Sequence, residues 1–174
     1  MKILILSDTH GRQDLVDEVL NIHKDRDGVI FLGDGIRDIS YYDCTDNGSF
    51  FAGVRGNCDS FFINNTEYEF SGELILRVEE YTVIMMHGHE HGVKGGIERA
   101  VAYAYERGAD VLLFGHTHVP LERYYPEGSV VCGHRLDRPI RAFNPGSLGS
   151  SYDGSYGLMQ IRRGQLLFSH GKIK

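Results

Sequence analysis

Seven side chains with oxygen or nitrogen donor atoms follow short apolar runs along the chain. They are Asp8, His10, Asp34, Asn57, His87, His116 and His118. Carboxylate, amide and imidazole groups together suit divalent cations such as Mn²⁺, Fe²⁺, Co²⁺, Ni²⁺ and Zn²⁺. The chain has no C-x-x-C motif, which argues against a structural zinc or iron–sulfur site. The residue types therefore predict a metal centre with O and N ligands.

The spacing of these residues favours two ions. In Asp8-Thr9-His10 the acidic and imidazole side chains are two residues apart, which in an extended chain directs both to the same side. Asp34 lies between two glycines, where the backbone can turn sharply, and its two oxygens can bridge two cations. Two ions roughly 3.5–4 Å apart can hold a bridging hydroxide nucleophile and polarise a phosphoryl group. We predict a hydrolase of phosphate esters.

Each motif alone has a simpler explanation. An aspartate after a strand is usually a turn or cap residue, and a Gly-His pair is often only part of a loop. The ordered series D-x-H, G-D, G-N, H-G and G-H-x-H, with each motif following an apolar run, is improbable by chance. The prediction depends on the series as a whole.

Strands must bring the seven side chains together. Short apolar runs at Ile3–Leu6, Val29–Leu32, Phe50–Val54 and Val111–Phe114 are typical of buried strands. Ligands of α/β sheets bind beyond the carboxyl ends of such strands. Apolar stripes predict one helix through Leu15 and Leu20, ending near Asp27-Gly28, and another from Ile97 to Ala104. His23 is expected at the surface or at the end of the first helix.

The remaining segments favour β structure. Between Tyr68 and Met86, breaks at Ser71-Gly72 and Glu79-Glu80 indicate antiparallel strands, and no helix is evident after residue 119. The mixture predicts a layered α/β fold of two packed sheets flanked by helices. The absence of linker composition or repeats predicts one domain over residues 1–174.

Composition limits the class of protein. With 41% hydrophobic and 24% charged residues the chain is an ordinary globular sequence, and its net charge of −6 argues against extended nucleic-acid binding. The three cysteines, Cys44, Cys58 and Cys132, fit a reducing compartment. No apolar run is long enough for a signal peptide or a membrane span. We expect a cytoplasmic protein that does not associate with membranes.

These motifs resemble those of the calcineurin-like metallophosphoesterase superfamily, above all its small YfcE-type phosphodiesterases of bacteria and archaea. Asn144-Pro145-Gly146-Ser147 resembles a later segment of the same family. The resemblance implies a four-layer αββα sandwich of two mixed sheets, the metallo-dependent phosphatase fold. It also implies two divalent ions, with Mn²⁺ as first candidate. One would be held by Asp8, His10, Asp34 and His118, and the other by Asp34, Asn57, His87 and His116.

Cys58 departs from the general family pattern, which has a histidine after the asparagine. That histidine contacts substrate in the wider family, whereas a thiol is a weak donor without charge. Because the small phosphodiesterases resemble this chain in having cysteine there, we predict a phosphodiesterase with Asp34, Asn57, Cys58 and Asp59 as its catalytic residues. Asp59 is expected to brace the loop rather than bind metal.

Two alternatives stay open. One is a phosphomonoesterase or protein phosphatase on the same fold, and the other is a non-catalytic interaction protein like the retromer subunit. The expected partner is a small phosphodiester, and the resemblance implies a possible homodimer or tetramer. Arg12, Arg55 and His89 are candidates for contact with substrate.

Overall fold

The computed structural model describes residues 1–40, 48–60, 62–63, 66–67, 70–150 and 153–174. Its three helices are α1 (Gln13–Ile22), α2 (Ile36–Ser40) and α3 (Glu98–Glu106), with 3₁₀ turns at His89–His91 and Val93–Gly95. Its strands are β1 (Lys2–Leu6), β2 (Gly28–Phe31), β3 (Phe50–Gly53), β4 (Phe62–Ile63), β5 (Thr66–Glu67), β6 (Glu73–Val78), β7 (Tyr81–Met86), β8 (Val111–Phe114), β9 (Leu121–Tyr125), β10 (Val130–Val131), β11 (His134–Arg135), β12 (Ile140–Asn144), β13 (Gly154–Arg162) and β14 (Gln165–Ile173). Tyr68 and Cys44 lie outside the described residues.

Ten of these strands form two mixed sheets of five. The first has the order β14-β13-β1-β2-β3, in which β1, β2 and β3 are parallel and β13 and β14 continue in antiparallel pairs. The second has the order β6-β7-β8-β12-β9, with β7, β8 and β12 parallel and antiparallel strands at both edges. The expected antiparallel pairing before Met86 is confirmed by β6 and β7. In the described part of the chain no helix follows residue 119, as predicted.

The alternation of side chains along the strands produces four layers. On β1, Ile3 and Ile5 enter the core between the sheets, whereas Leu4 and Leu6 pack against the layer that contains α1 and α2. The second sheet divides its residues in the same way between the central core and the layer that contains α3. Both faces of the central strands are therefore buried, and the four-layer αββα fold is confirmed.

Helix α1 covers the first sheet with an apolar stripe. Leu15, Val16, Val19 and Leu20 are buried on one face, where each contributes roughly 1.5–3 kcal/mol relative to exposure. The helix ends at Ile22, so the expected end near Asp27-Gly28 was wrong. The stripe stops at Leu20, and the following residues turn so that the chain can enter β2.

The residue after α1 lies at the helix end, as one of the two expectations for it had it, but it is not at the surface. His23 caps the helix but is buried, with 9% of its surface exposed, and its Nε2 is hydrogen-bonded at 3.1 Å to the Tyr156 hydroxyl of β13. A sequence pattern on α1 alone cannot show this partner, which lies 133 positions away. His23 is a buried link between helix and sheet.

The five loops that carry the candidate ligands lie beyond the carboxyl ends of β1, β2, β3, β7 and β8. Parallel pairing within each sheet turns these ends toward one edge of the sandwich. The longest helix has ten residues, and none in the described part of the chain is long and apolar enough to cross a bilayer.

Candidate metal centre

A first ligand group consists of Asp8, His10 and His118. Their donor atoms lie within 4.8 Å of one another. Asp8 Oδ1 is 3.1 Å from His118 Nε2 and 3.8 Å from His10 Nε2, and the two histidine nitrogens are 3.3 Å apart. The carboxylate is fully buried, while the imidazoles line its open side. Two loops that are more than a hundred residues apart in sequence thus converge on one point.

A second ligand group consists of Asp34, Asn57, His87 and His116. Donor atoms of Asp34, His87 and His116 lie within 4.8 Å of one another. His87 Nε2 is 3.4 Å from Asp34 Oδ2 and 3.2 Å from Asn57 Oδ1, so the amide oxygen faces the same space.

Asp34 lies between the two groups. Its carboxylate is also within 4.8 Å of His10 from the first group, together with the thiol of Cys58. The structure therefore brings all seven predicted residues to one edge and places the aspartate that was expected to bridge two ions next to donors of both groups.

Five of the seven residues have a left-handed backbone. The φ angles are 53° for Asp8, 46° for His10, 59° for Asp34, 66° for His116 and 60° for His118. The expectation that Asp8 and His10 share a side because the chain is extended there was wrong; left-handed turns bring them together instead. Such conformations cost of order 1 kcal/mol or more for residues with a side chain, and they persist only where the surroundings hold them.

Asp59 is one of the groups that hold these loops. Its Oδ2 accepts hydrogen bonds from the backbone N–H groups of Asp34 and Gly56, both at 2.8 Å. Its Oδ1 accepts from Gly35 at 2.8 Å and Ile36 at 2.9 Å. The carboxylate ties the loop after β2 to the loop after β3, the bracing role expected for it.

The loop after β1 is tied to the loop after β8 and to the segment after β12. Asp8 Oδ2 accepts from the Ser7 hydroxyl at 2.6 Å and from the His116 N–H at 3.0 Å. The Asp8 carbonyl accepts from the Ser147 hydroxyl at 2.8 Å and the Gly149 N–H at 2.9 Å. These bonds fix the direction of the buried carboxylate.

Asn144, fully buried at the end of β12, supports the G-H-x-H loop. Its amide nitrogen donates to the Gly115 carbonyl at 2.9 Å and to the Thr117 hydroxyl at 3.1 Å, and its oxygen accepts from the Gly146 N–H at 2.8 Å. Asn144 and Ser147 belong to the segment that the family resemblance singled out, but sequence reasoning did not assign them a role.

Asp38 is a supporting residue that sequence reasoning missed. It is buried on α2 and accepts hydrogen bonds from the Thr9 hydroxyl and the Gly11 N–H, which anchors the chain around His10. A five-residue helix with two apolar positions leaves too weak a periodic signal to be found.

Gly56 allows the loops to approach closely. A Cβ atom at this position would lie 2.1 Å from Asp34 Oδ1 and 2.5 Å from the Asp34 nitrogen, distances that no side chain tolerates. The glycine in the G-N motif is thus required by the contact with Asp34.

The model of the calcineurin-like phosphoesterase superfamily domain matches residues 1–164. This chain belongs to that superfamily. The probable metallophosphoesterase YsnB of Bacillus subtilis (strain 168) is 32% identical over 149 residues, which span 85% of this chain and 75% of that protein. The probable metallophosphoesterase MG207 of Mycoplasma genitalium is 31% identical over 122 residues, spanning 68% and 67% of the two chains.

Solved structures share the architecture of this superfamily member. An archaeal phosphodiesterase superposes with a TM-score of 0.69 at 20% identity, covering 99% of this chain and all of the other. Vps29 of Entamoeba histolytica, complexed with Zn²⁺, superposes with a TM-score of 0.69 at 19% identity, covering 99% and 98%. At these identities the likeness establishes the fold.

Membership in a metallophosphoesterase family implies divalent metal ions, and the first ligand group fits a cation. Asp8 Oδ1 is buried without a hydrogen-bond partner. Burial raises the pKa of Asp8 above its ordinary value despite hydrogen bonding by Ser7 and the nearby charges of His87 and His118. A cation at Oδ1 would satisfy this oxygen and favour the ionised form.

The second ligand group also suits a cation. Burial lowers the pKa of His116 to about 4, with the charge of His87 acting in the same direction, so its imidazole is neutral at pH 7. Burial opposes ionisation of Asp34, but hydrogen bonds from His87 and the Cys58 N–H outweigh it and hold the pKa of Asp34 well below its usual range. Neutral His116 and ionised Asp34 are therefore in the forms that bind metal. Burial opposes protonation of His87, but its hydrogen bond to Asp34 outweighs burial and raises the pKa of His87, so a bound cation would replace a proton on Nε2.

A backbone carbonyl fixes the orientation of the His87 ring. Its Nδ1 lies 2.7 Å from the Leu32 carbonyl and donates to it, which leaves Nε2 directed toward Asp34 and Asn57. A backbone acceptor of this kind fixes both the tautomer and the ring direction of a metal-binding histidine.

The three candidates for substrate contact lie in different settings. Arg12 is partly exposed and forms a two-bond pair with Asp14, at 2.9 and 2.7 Å. His89 lies beside the second ligand group, with its ring centre 5.4 Å from that of His87. Arg55 follows β3 and is half-buried. A contact with substrate stays a prediction for all three.

Cys58 is exposed next to Asp34, and its backbone N–H donates to Asp34 Oδ1 at 2.7 Å. Although the residue is exposed, slight burial of its sulfur and the hydrogen bond to the carboxylate raise the pKa of the thiol, so it is protonated and uncharged at neutral pH. Cys132 is a free cysteine far along the chain on the β10–β11 turn.

Proposed function

We propose that this protein is a dinuclear metal-dependent phosphodiesterase. The observation that carries the proposal is the position of Asp34, whose carboxylate lies within 4.8 Å of His10 from the first ligand group and of His87 and His116 from the second. Asp8, His10, Asp34 and His118 would hold one ion, and Asp34, Asn57, His87 and His116 the other. Mn²⁺ is the first candidate, with Ni²⁺, Fe²⁺, Co²⁺ and Zn²⁺ as alternatives for this donor set.

When bound, two divalent ions supply a nucleophile derived from water at neutral pH and offset the charge that develops on the phosphoryl oxygens. The protein residues keep the donors in place. Leu32 orients His87 through its carbonyl, and Asp59 holds the backbone on either side of Asp34. With the donors already directed inward, little reorganisation accompanies the reaction.

Cys58 supports a preference for diesters. Its uncharged thiol lies next to Asp34. A histidine at position 58 would instead offer a positive charge to the phosphoryl group or a proton to the leaving group. A diester carries one negative charge fewer than a fully ionised monoester, and thus needs less positive charge from the protein. The leaving alkoxide would take its proton from water.

The test is a screen of metals against substrates with purified metal-free protein. Bis(4-nitrophenyl) phosphate, cyclic nucleotides and 4-nitrophenyl phosphate are each assayed with Mn²⁺, Ni²⁺, Co²⁺, Fe²⁺ and Zn²⁺. We expect Mn²⁺-dependent hydrolysis of diesters, lost in Asp34→Asn and retained in Asp25→Asn, whose carboxylate is exposed and pairs with Lys2 at the start of β1. Unchanged activity in Asp34→Asn would refute the two-metal mechanism.

The role of Cys58 is tested separately. We expect Cys58→His to increase the rate on 4-nitrophenyl phosphate relative to the diester, and no gain would contradict our account of the preference. Absence of hydrolysis with every metal and substrate would instead favour an interaction protein, the alternative suggested by the fold shared with Vps29.

A further inference from the structure

A cavity of about 370 Å³ opens beside the metal centre. Its lining includes His10, Asp34 and Cys58 of the candidate metal centre, together with Gly11, Arg37 and Ser60. We call it the Arg37 cavity. Its volume lies in the range of small-molecule sites, and it begins at the carboxylate where a phosphoryl group would react. It is therefore placed to receive a group attached to the reacting phosphate.

The charges in the cavity single out Arg37. The carboxylates of Asp38 and Asp59, which also line it, accept hydrogen bonds from the surrounding loops, and these bonds offset part of their negative charge. Arg37 is the one lining residue with a permanent positive charge. It is exposed on α2, and within the described part of the chain it forms no ion pair.

We propose that the Arg37 cavity receives one organic arm of the diester and that Arg37 binds an anionic group, a carboxylate or a phosphate, on that arm. The planar guanidinium can bind either group through two parallel hydrogen bonds. The substrate class is then a phosphodiester with a second negative charge. This inference rests on the proposed function, because it assumes that the reacting phosphate lies at Asp34.

The kinetic test compares three aryl diesters that all release 4-nitrophenolate. They are phenyl 4-nitrophenyl phosphate and its analogues with a carboxylate or a phosphonate on the phenyl ring. In Arg37→Gln we expect kcat/KM to fall about tenfold for a charged arm and less than twofold for the neutral arm, with partial recovery in Arg37→Lys. The two charged arms show which anion the site prefers. Equal effects on charged and neutral arms would overturn the proposal.

Arg162→Gln is the matched control, since it removes the same charge from the opposite edge of the sheet. Arg162 is exposed at the end of β13, whose register with β1 places Gln160 beside Lys2, away from Asp8. We expect this variant to leave the ratio of charged to neutral substrates unchanged. A matching loss in Arg162→Gln would show that overall charge, rather than Arg37, sets the preference.

A measurement of affinity tests this inference independently of the proposed function, because it does not require hydrolysis. Calorimetry on the Mn²⁺-loaded protein measures the affinity of non-hydrolysable methylene phosphonate analogues of the same diesters. We expect Arg37→Gln to weaken the charged analogues about tenfold and leave the neutral one unchanged. If this holds in a protein that hydrolyses none of the diesters, the phosphodiesterase proposal fails and the Arg37 site stands. If affinity does not depend on Arg37, the site is refuted even in an active enzyme.

Discussion

Replacing Asp59 with asparagine preserves the shape of the side chain and removes part of its accepting capacity. In the native protein each carboxylate oxygen accepts two backbone N–H groups, at 2.8–2.9 Å. The single amide oxygen of asparagine can replace only one of the two carboxylate oxygens. In either orientation its NH₂ group faces two N–H donors, so two hydrogen bonds are lost and two partly buried donors have no acceptor.

The size of the effect follows from these two bonds. A hydrogen bond to a charged group contributes about 1.5–3 kcal/mol. Because the bonds are only partly buried, we take the lower value and expect Asp59→Asn to reduce the free energy of unfolding by about 3 kcal/mol. With a urea m-value of about 2 kcal/mol/M, the midpoint falls by about 1.5 M.

Urea unfolding of the metal-free protein measures this change, with Asp25→Asn as control. Asp25 is exposed and makes one surface pair with Lys2, an interaction that solvent largely screens. Metal affinity in Asp59→Asn should fall as well, since the backbone on both sides of Asp34 is loosened. A stability loss no larger than that of the control would refute the bracing role.

Two further substitutions probe other supports. Asn144→Ala removes the buried amide that holds the G-H-x-H loop, and we expect the free energy of unfolding in urea to fall by about 3 kcal/mol. The control Asn21→Ala, at an exposed position, should lower it by less than about 1 kcal/mol. Similar losses in the two variants would show that Asn144 does not brace the loop. Burial lowers the pKa of His23, so the unfolded chain binds its proton more readily, and the stability that neutral His23 contributes above its unfolded pKa is lost as the pH falls. The stability difference between wild type and His23→Gln should therefore shrink from pH 7.5 to pH 5; a constant difference would show that His23 does not titrate in this way.

Much of the fold could be predicted because its strands are buried on both faces. Runs such as Ile3–Leu6 and Val111–Phe114 leave few alternatives to a central strand, and the helices that cover them show clear apolar stripes. Helix α2 was missed because five residues do not establish a period.

The candidate ligands could be named from sequence because metal chemistry restricts residue types. Their arrangement could not, because it depends on contacts between distant segments. The left-handed backbone at Asp8 and His10 has no local signature, and it is held by partners such as Asp38 and Ser147. The burial of His23 could not be predicted from local sequence for the same reason, since it depends on a tyrosine of β13.

The bond between the Asp8 carbonyl and Ser147 has a consequence for the order of biosynthesis. The two residues are 139 positions apart, an interval that a ribosome takes roughly 7–28 s to translate. Until Ser147 has emerged, Asp8 lacks the neighbour that fixes its turn, although the other ligands have already been made. The turn at Asp8 is therefore completed late in synthesis, after every candidate ligand has been made.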